Sequence, residues 1–198
     1  MRKLKLEMQV SLDGFTADAN GEVSWMVWPW SEREWPWDEA LRQHHNRLTQ
    51  SADCIVISGR MAEEGFCEHW ERVAADPASP QAEFAAAVVA APKLVATRTI
   101  ERTRWRNTTL LRGDLVAEIA RLKTASGGDI LTYGGPTLAS ALMDAGLVDE
   151  IHLFVNPTVV GQGRSMLKDL HRSVRLVPRQ ANAFAGGMVL LEYAVRQP

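Results

Sequence analysis

Cysteine is scarce: Cys54 and Cys67 are the two in a chain of 198 residues. Two are too few for a disulfide framework, they show no metal-ligand spacing, and both read as small apolar packing residues, so no metal is expected. Neither sign of charge dominates. With 22 Lys and Arg against 24 Asp and Glu, the formal net charge is −2, which gives no global reason to bind nucleic acid or an anionic membrane. Any anionic ligand must therefore be met by local groups. No apolar run approaches the roughly 18 residues of a spanning helix. The N-terminus, Met1-Arg2-Lys3-Leu4-Lys5-Leu6-Glu7, is too densely charged to be a signal peptide. A soluble, cytoplasmic protein is the expectation. G-x-G-x-x-G and G-x-x-x-x-G-K-[ST] are both missing, so neither a Rossmann fingerprint nor a P-loop can be claimed. Internal repeats and low-complexity tails are absent too, and the length suits one domain over 1–198.

What is present centres on Asp129 to Gly163. Ile130-Leu131-Thr132-Tyr133 is a short apolar run between two glycine pairs, the signature of a buried strand stopped by turns. Gly134-Gly135 follows, then Pro136 at the first turn of a helix whose apolar positions Leu138, Ala141, Leu142 and Ala145 recur until Gly146. Ile151, Leu153 and Val155 then alternate as a second strand, which makes a crossover unit of a parallel sheet. The amides of a helix start lack intrahelical partners, and glycine lets a ligand approach that backbone. A phosphate is the usual guest, and a tight corner with no ligand is the alternative.

The same logic recurs along the chain. Leu4, Leu6, Met8 and Val10 alternate with Lys3, Lys5, Glu7 and Gln9, predicting a strand with one buried face. Asp13-Gly14 and Asn20-Gly21 are turns, with Phe15 to Ala17 extended between them. From Trp25 to Trp37 the chain packs five of its seven tryptophans into a segment that is neither helix nor strand by pattern. Its indoles either anchor the loop or wall a flat organic substrate; anchoring is expected for most, with Trp25 or Trp28 facing a pocket. Asp38 is placed to cap a helix whose inner face is Leu41, His45 and Leu48, and adjacent His44 and His45 read as a surface and a packing histidine. Cys54 to Ile57 is a buried strand ending in Ser58-Gly59-Arg60, and Lys93 to Ala96 another ending in Thr97-Arg98. Helices are predicted from Met61 to Trp70, from a Ser79 cap with Pro80 at its first position, from Asp114, and for at most two turns over Ser165 to Leu170. Val174 to Val177 and Met188 to Val195 close the chain as an antiparallel hairpin at a sheet edge.

Gly59-Arg60, Thr97-Arg98 and Gly134-Gly135-Pro136-Thr137 each end a short apolar strand and offer amides, a hydroxyl or a guanidinium. In an open α/β sheet such ends share one edge, where ligands bind. Three converging anion sites imply a ligand bearing more than one phosphate.

Ser11-Leu12-Asp13-Gly14 with Gly21 and Trp25 downstream, Ser58-Gly59-Arg60, the strand ending in Thr97-Arg98, and the block GGPTLASALMDAGLVDEIHLFVNPTVVGQG carry a resemblance over nearly the whole chain. It resembles the dihydrofolate-reductase-like fold, as a stand-alone relative of the reductase domain at the C-terminus of bacterial riboflavin-biosynthesis deaminase/reductase proteins. The resemblance implies an α/β fold with a mixed, mostly parallel sheet of about eight strands, flanked by helices. It also implies NADPH as cofactor, a small-molecule substrate and a homodimer. Gly59 and Arg60, together with Tyr133, Gly134, Gly135, Pro136, Thr137 and Leu138, would hold the cofactor phosphates. Thr97 and Arg98 would meet the adenosine 2′-phosphate. Val10, Asp13, Trp25 and Trp28 would border nicotinamide and substrate, with hydride passing to a C=N or C=O carbon of a heterocyclic or sugar-linked compound. Asp13 is the candidate proton donor, with Glu7 or an ordered water behind it. Riboflavin-pathway members tend to carry a lysine near Glu7, and the carboxylate here is less welcoming to a ribose phosphate. An NADPH-binding sensor with little turnover and a non-enzymatic dimeric scaffold are the alternatives.

Overall fold

The computed structural model describes residues 1–28 and 31–196; Pro29 and Trp30 of the tryptophan-rich loop lie outside the described residues. In chain order the elements are β1 (Leu4–Ser11), β2 (Phe15–Asp18), α1 (Glu39–Gln50), β3 (Ala52–Ser58), α2 (Gly59–Glu63), α3 (Phe66–Ala74), α4 (Ala82–Ala90), β4 (Lys93–Ala96), β5 (Thr108–Leu111), α5 (Leu115–Thr124), β6 (Asp129–Thr132), α6 (Pro136–Asp144), β7 (Glu150–Asn156), β8 (Gly163–Ser165), β9 (Leu176–Ala183) and β10 (Val189–Val195).

Eight strands form one sheet in the order β5-β4-β3-β6-β1-β7-β10-β9, while β2 and β8 pair separately. β5 through β7 run parallel across that order, and β10 is antiparallel to both β7 and β9. The fold is thus the mostly parallel α/β sheet with a closing hairpin that the strand pattern predicts. β3 and β6 reach their neighbours through helical crossovers, because parallel strands cannot be joined by a tight turn.

Two apolar layers cover the sheet. On one side Leu4, Leu6, Met8 and Val10 of β1 meet Ile119 of α5 and Leu138, Leu142 and Met143 of α6. On the other, α1, α3 and α4 bring Leu41, Trp70, Phe84 and Val88 against Ile55, Ile57 and Phe154, with Trp28, Trp35 and Trp37 of the loop filling the space between. Trp28 lies 4.9 Å from Trp37, 5.2 Å from Trp35 and 6.0 Å from Trp70 between ring centroids. Trp37 stacks on Phe154 at 5.0 Å. Such pairs add about 0.5–1.5 kcal/mol each beyond area burial, so the indoles hold an otherwise irregular segment to the sheet.

Five local expectations change. β1 is buried on both faces, not one: Glu7 is 4% exposed because the tryptophan loop and α1 cover the side that alternation assigns to solvent. The helix expected from Met61 to Trp70 is two helices, broken at Gly65, whose φ of +95° starts α3 in a left-handed turn. α4 begins at Ala82, not at Pro80. Ser79 Oγ accepts from the Gln81 amide, and the buried Gln81 side chain donates to the Glu34 carbonyl at 3.2 Å, so this turn clamps the tryptophan loop. Ser165 to Leu170 forms no helix; Gly163 to Ser165 pairs as β8 with β2, and a Cβ at Gly163 would lie 2.0 Å from the Ala17 carbonyl oxygen. Asp38 occupies the N-cap position of α1 without capping through its side chain, and its carboxylate instead accepts from the Gly186 amide in the β9–β10 turn. Asp114 caps α5 as expected, accepting from Val116 and Ala117 amides at 2.9 and 3.1 Å.

Candidate functional site

The C-terminal ends of β3, β4 and β6 lie side by side. Ser58 pairs with Ala96, and a Cβ placed on Gly59 would sit 2.9 Å from the Thr97 side chain. Ser58 Oγ caps α2 by accepting from the Met61 amide at 3.2 Å. Past Tyr133 the chain turns at Gly134 and Gly135, with φ of +83° and +87°, and Pro136 opens α6. A side chain on Gly134 would strike Met8 at 2.9 Å, and one on Gly135 would come within 3.2 Å of Ser58 Oγ. Both glycines are needed for the turn and for the close approach of α6 to its neighbours.

A cavity of about 490 Å³ opens in front of these helix starts. Ser58, Arg60, Gly135, Pro136, Thr137 and Leu138 line one end. Glu7, Trp28, His45, Trp70, Phe84 and Tyr133 line the other, and Thr16, Gly21, Arg164 and Lys168 close it from the β2–β8 side. One end thus offers helix-start backbone and cations, the other aromatic faces around a carboxylate. Arg60 is exposed and paired with Glu64 at 2.7 Å, within swing of the cavity mouth.

At the aromatic end, Glu7 Oε1 is 2.8 Å from His45 Nδ1, and both side chains are about 95% or more buried, at 5% and 3% exposure. The approach is oblique, so among the described residues Glu7 Oε2 and both His45 nitrogens have no hydrogen-bond partner, and neither does the buried Trp28 Nε1. Unpartnered buried polar atoms are costly, about 1–3 kcal/mol each, and here they gather on a cavity wall. His45 stacks on Phe84 at 4.2 Å, and the Tyr133 hydroxyl lies 2.9 Å from Thr49 Oγ1. Burial, reinforced by the Glu7 charge, pushes the Tyr133 phenol well above its ordinary range. It stays a neutral hydroxyl.

The sequence candidates divide. Arg60, Tyr133, Gly135, Pro136, Thr137, Leu138 and Trp28 share the cavity wall. Gly134 packs on Met8, itself part of the wall, and Gly59 seals the β3–β4 junction against Thr97. The Thr97 hydroxyl accepts from the Thr99 and Ile100 amides, and Arg98 is exposed on the same turn, beside the cavity rather than in its wall. Val10 is buried in the aliphatic layer on the far side of β1. Trp25 donates its Nε1–H to the Glu22 carbonyl and stands outside the wall. Asp13 is exposed; its carboxylate accepts from Ser11 Oγ at 2.6 Å and from the Val160 and Gly161 amides at 3.0 and 2.7 Å. The Ser11 hydroxyl first, then the Val160 amide, hold its carboxyl down to about 2. A carboxylate so held tethers the loop after β7 and is a poor proton donor near neutrality.

Sequence reading missed His45, Trp70, Phe84, Arg164 and Lys168 as wall residues. The usable signal was Glu7 itself, a charge in a strand flanked on both sides by other strands, which needs a partner such as a histidine on the inner face of a covering helix.

The family model for the RibD C-terminal domain matches residues 2–190. An uncharacterized protein, YyaP of Bacillus subtilis, is 26% identical over 97% of this chain and 94% of its own length. Escherichia coli riboflavin biosynthesis protein RibD is 31% identical over 80% of this chain, which spans about half (49%) of that protein. Among solved structures, a putative riboflavin biosynthesis protein from Shewanella sp. PV-4 superposes with a TM-score of 0.71 at 19% identity, covering 98% and 99% of the two chains. The deaminase/reductase of Thermotoga maritima gives 0.68 at 15% identity over 98% of this chain and 57% of that one. The glycine turn into α6, the parallel strand ends and a match that runs almost end to end agree: the chain belongs to the RibD C-terminal domain family.

Proposed function

We propose that the protein is an NADPH-dependent reductase acting on a C=N or C=O carbon of a small planar heterocycle. The observation that carries this reading is one cavity joining a glycine-and-cation end to an aromatic end with a buried carboxylate. The donor set fits a dinucleotide: a Cβ at Gly135 would occupy space against Ser58 Oγ, and the α6 start and Arg60 face that space. Gly135, Pro136, Thr137 and Leu138 would hold the pyrophosphate, with Arg60 at a phosphate oxygen. Arg98, on the turn next to Gly59, would meet the 2′-phosphate, since a guanidinium pairs with a dianion. Bound there, the cofactor supplies hydride.

Trp28, Trp70 and Phe84 wall the other end and favour a flat ring over a flexible sugar. Glu7 and His45 lie 2.8 Å apart on the cavity wall and form an acid–base pair beside the space the ring would occupy. When hydride adds to a C=N carbon, the π pair moves onto nitrogen, and that nitrogen takes the proton from this pair. Glu7 takes the donor role in place of Asp13, whose carboxyl is committed to three hydrogen bonds. The Glu7 charge disfavours a substrate phosphate at the aromatic end, while Arg164 and Lys168 would accept one at the rim.

Calorimetric titration with NADPH and NADH tests this, followed by NADPH oxidation over pterins, imines, aldehydes and ribosylaminopyrimidines. One tight NADPH site, weakened in Gly135→Val and Arg60→Ala, is the expected result. No heat and no thermal shift with either dinucleotide would sink the reading, and tight binding without oxidation of any compound would favour the sensor.

A further inference from the structure

Behind the cavity floor, the same row of the sheet continues away from the ligand space. In register, Glu7 of β1 lies opposite His152 of β7, and His152 opposite Glu192 of β10. α1 crosses over this row and lowers His44 onto it, one residue before the His45 that lines the cavity. His152 Nδ1 is 3.6 Å from Glu192 Oε2, His44 Nδ1 is 3.7 Å from Glu192 Oε1, and the imidazole centroids are 5.7 Å apart. One ligand atom from each of the three residues lies within 4.8 Å of the others.

These separations are too long for hydrogen bonds. Among the described residues, His44 Nε2, both nitrogens of His152 and Glu192 Oε1 are buried without a hydrogen-bond partner, and the His152 side chain is 7% exposed. Buried polar atoms are seldom left so. Ligand atoms about 2.0–2.2 Å from a tetrahedral zinc ion are about 3.4 Å from one another, close to the two nitrogen–oxygen gaps, which end on the two oxygens of the Glu192 carboxylate, and the whole set lies within 4.8 Å. Two imidazoles and a carboxylate form a donor set for a late first-row divalent metal, not for magnesium or calcium, which take oxygen ligands.

We propose that His44, His152 and Glu192 bind one zinc-like divalent ion. His44 and Glu192 retain 19% and 16% side-chain exposure, enough to admit the ion and a water as fourth ligand. Bound to β7, β10 and α1 together, the ion pins α1 to the sheet and fixes the rotation that sets His45 against Glu7. Its role is therefore structural and positional, and it is independent of whether NADPH binds.

The test uses the full chain, stripped with a chelator and titrated with Zn2+ by calorimetry and with Co2+ by visible absorption. One equivalent should bind, and the cobalt form should show the d–d bands of four- or five-coordination. Folded His44→Ala and Glu192→Gln variants, checked by circular dichroism, should lose more than the roughly 10–100-fold in affinity that removing an outer-shell partner costs. The exposed His171–Asp144 pair serves as control, and His171→Ala should bind as the parent does. Absence of zinc uptake by the parent protein would mean an ion pair only and overturn the proposal. Undiminished affinity in both His44→Ala and Glu192→Gln would overturn it as well.

Discussion

The two faces of β1 are made from the same eight residues and do different work. Leu4, Leu6, Met8 and Val10 enter an aliphatic layer with α5 and α6. The other face presents Glu7 and Gln9 to tryptophans, a phenylalanine and a histidine, and it carries the aromatic end of the cavity with the unpartnered Glu7 and His45 atoms. Gln9 is satisfied, since its Nε2 donates to the Trp28 carbonyl at 3.1 Å, whereas Glu7 Oε2 has no partner among the described residues. Alternate positions on one face of the strand therefore separate a group that fixes the loop from a group left open to a ligand. An aliphatic interior gains nothing from polar atoms without partners; a binding site requires them.

Substitutions on the two faces should separate stability from turnover. Leu142→Ala, at a fully buried position of the aliphatic layer, should cost about 2–5 kcal/mol, read by urea unfolding, with NADPH affinity at the helix start unchanged in the protein that remains folded. Glu7→Gln should do the opposite. A general acid contributes roughly 100-fold or more, so turnover should fall by about that factor, while the melting temperature stays about level because the amide is isosteric with the carboxylate and keeps its place beside His45. A loss of stability without loss of turnover in Glu7→Gln would make the two faces equivalent. The smallest effect is expected far from both. The Asp13 carboxyl should titrate at about 2 against an ordinary 3.8 by carbon-detected NMR. Since its folded value is depressed, its contribution to stability is present in full above pH about 4 and is lost as pH falls through about 2. Asp13→Asn should flatten acid unfolding in that window and leave turnover at neutral pH as it is.

Much of this architecture was legible in residue order because its signals are local. The run Cys54–Ile57, the Gly134-Gly135-Pro136 turn and the last strand each carry their own pattern, and they fix the parallel sheet and the edge where its strands end, whereas β9, expected at Val174 to Val177, runs over the exposed segment Leu176–Ala183. Helix limits near residues 59–82 were not legible, since the left-handed turn at Gly65 splits a continuous helical pattern and Gln81 acts through a turn that answers to the tryptophan loop across the core. The cavity wall was half legible. Its glycine end is one contiguous motif, but Glu7, His45, Phe84 and Arg164 come from four distant segments, and only the folded chain brings them together. Asp13 drew notice as an acid beside a turn, and that turn is where its hydrogen bonds are spent.

Trp28 and Trp70 both border the cavity with centroids 6.0 Å apart, and Trp35 and Trp37 stand within 6.1 Å of each other beside them. At such spacing excitation migrates among indoles faster than it is emitted, so a molecule that changes the emission of Trp28 changes that of its neighbours too. The protein thus carries a built-in optical gauge of occupancy, in which one molecule at the aromatic end alters the light from several rings at once.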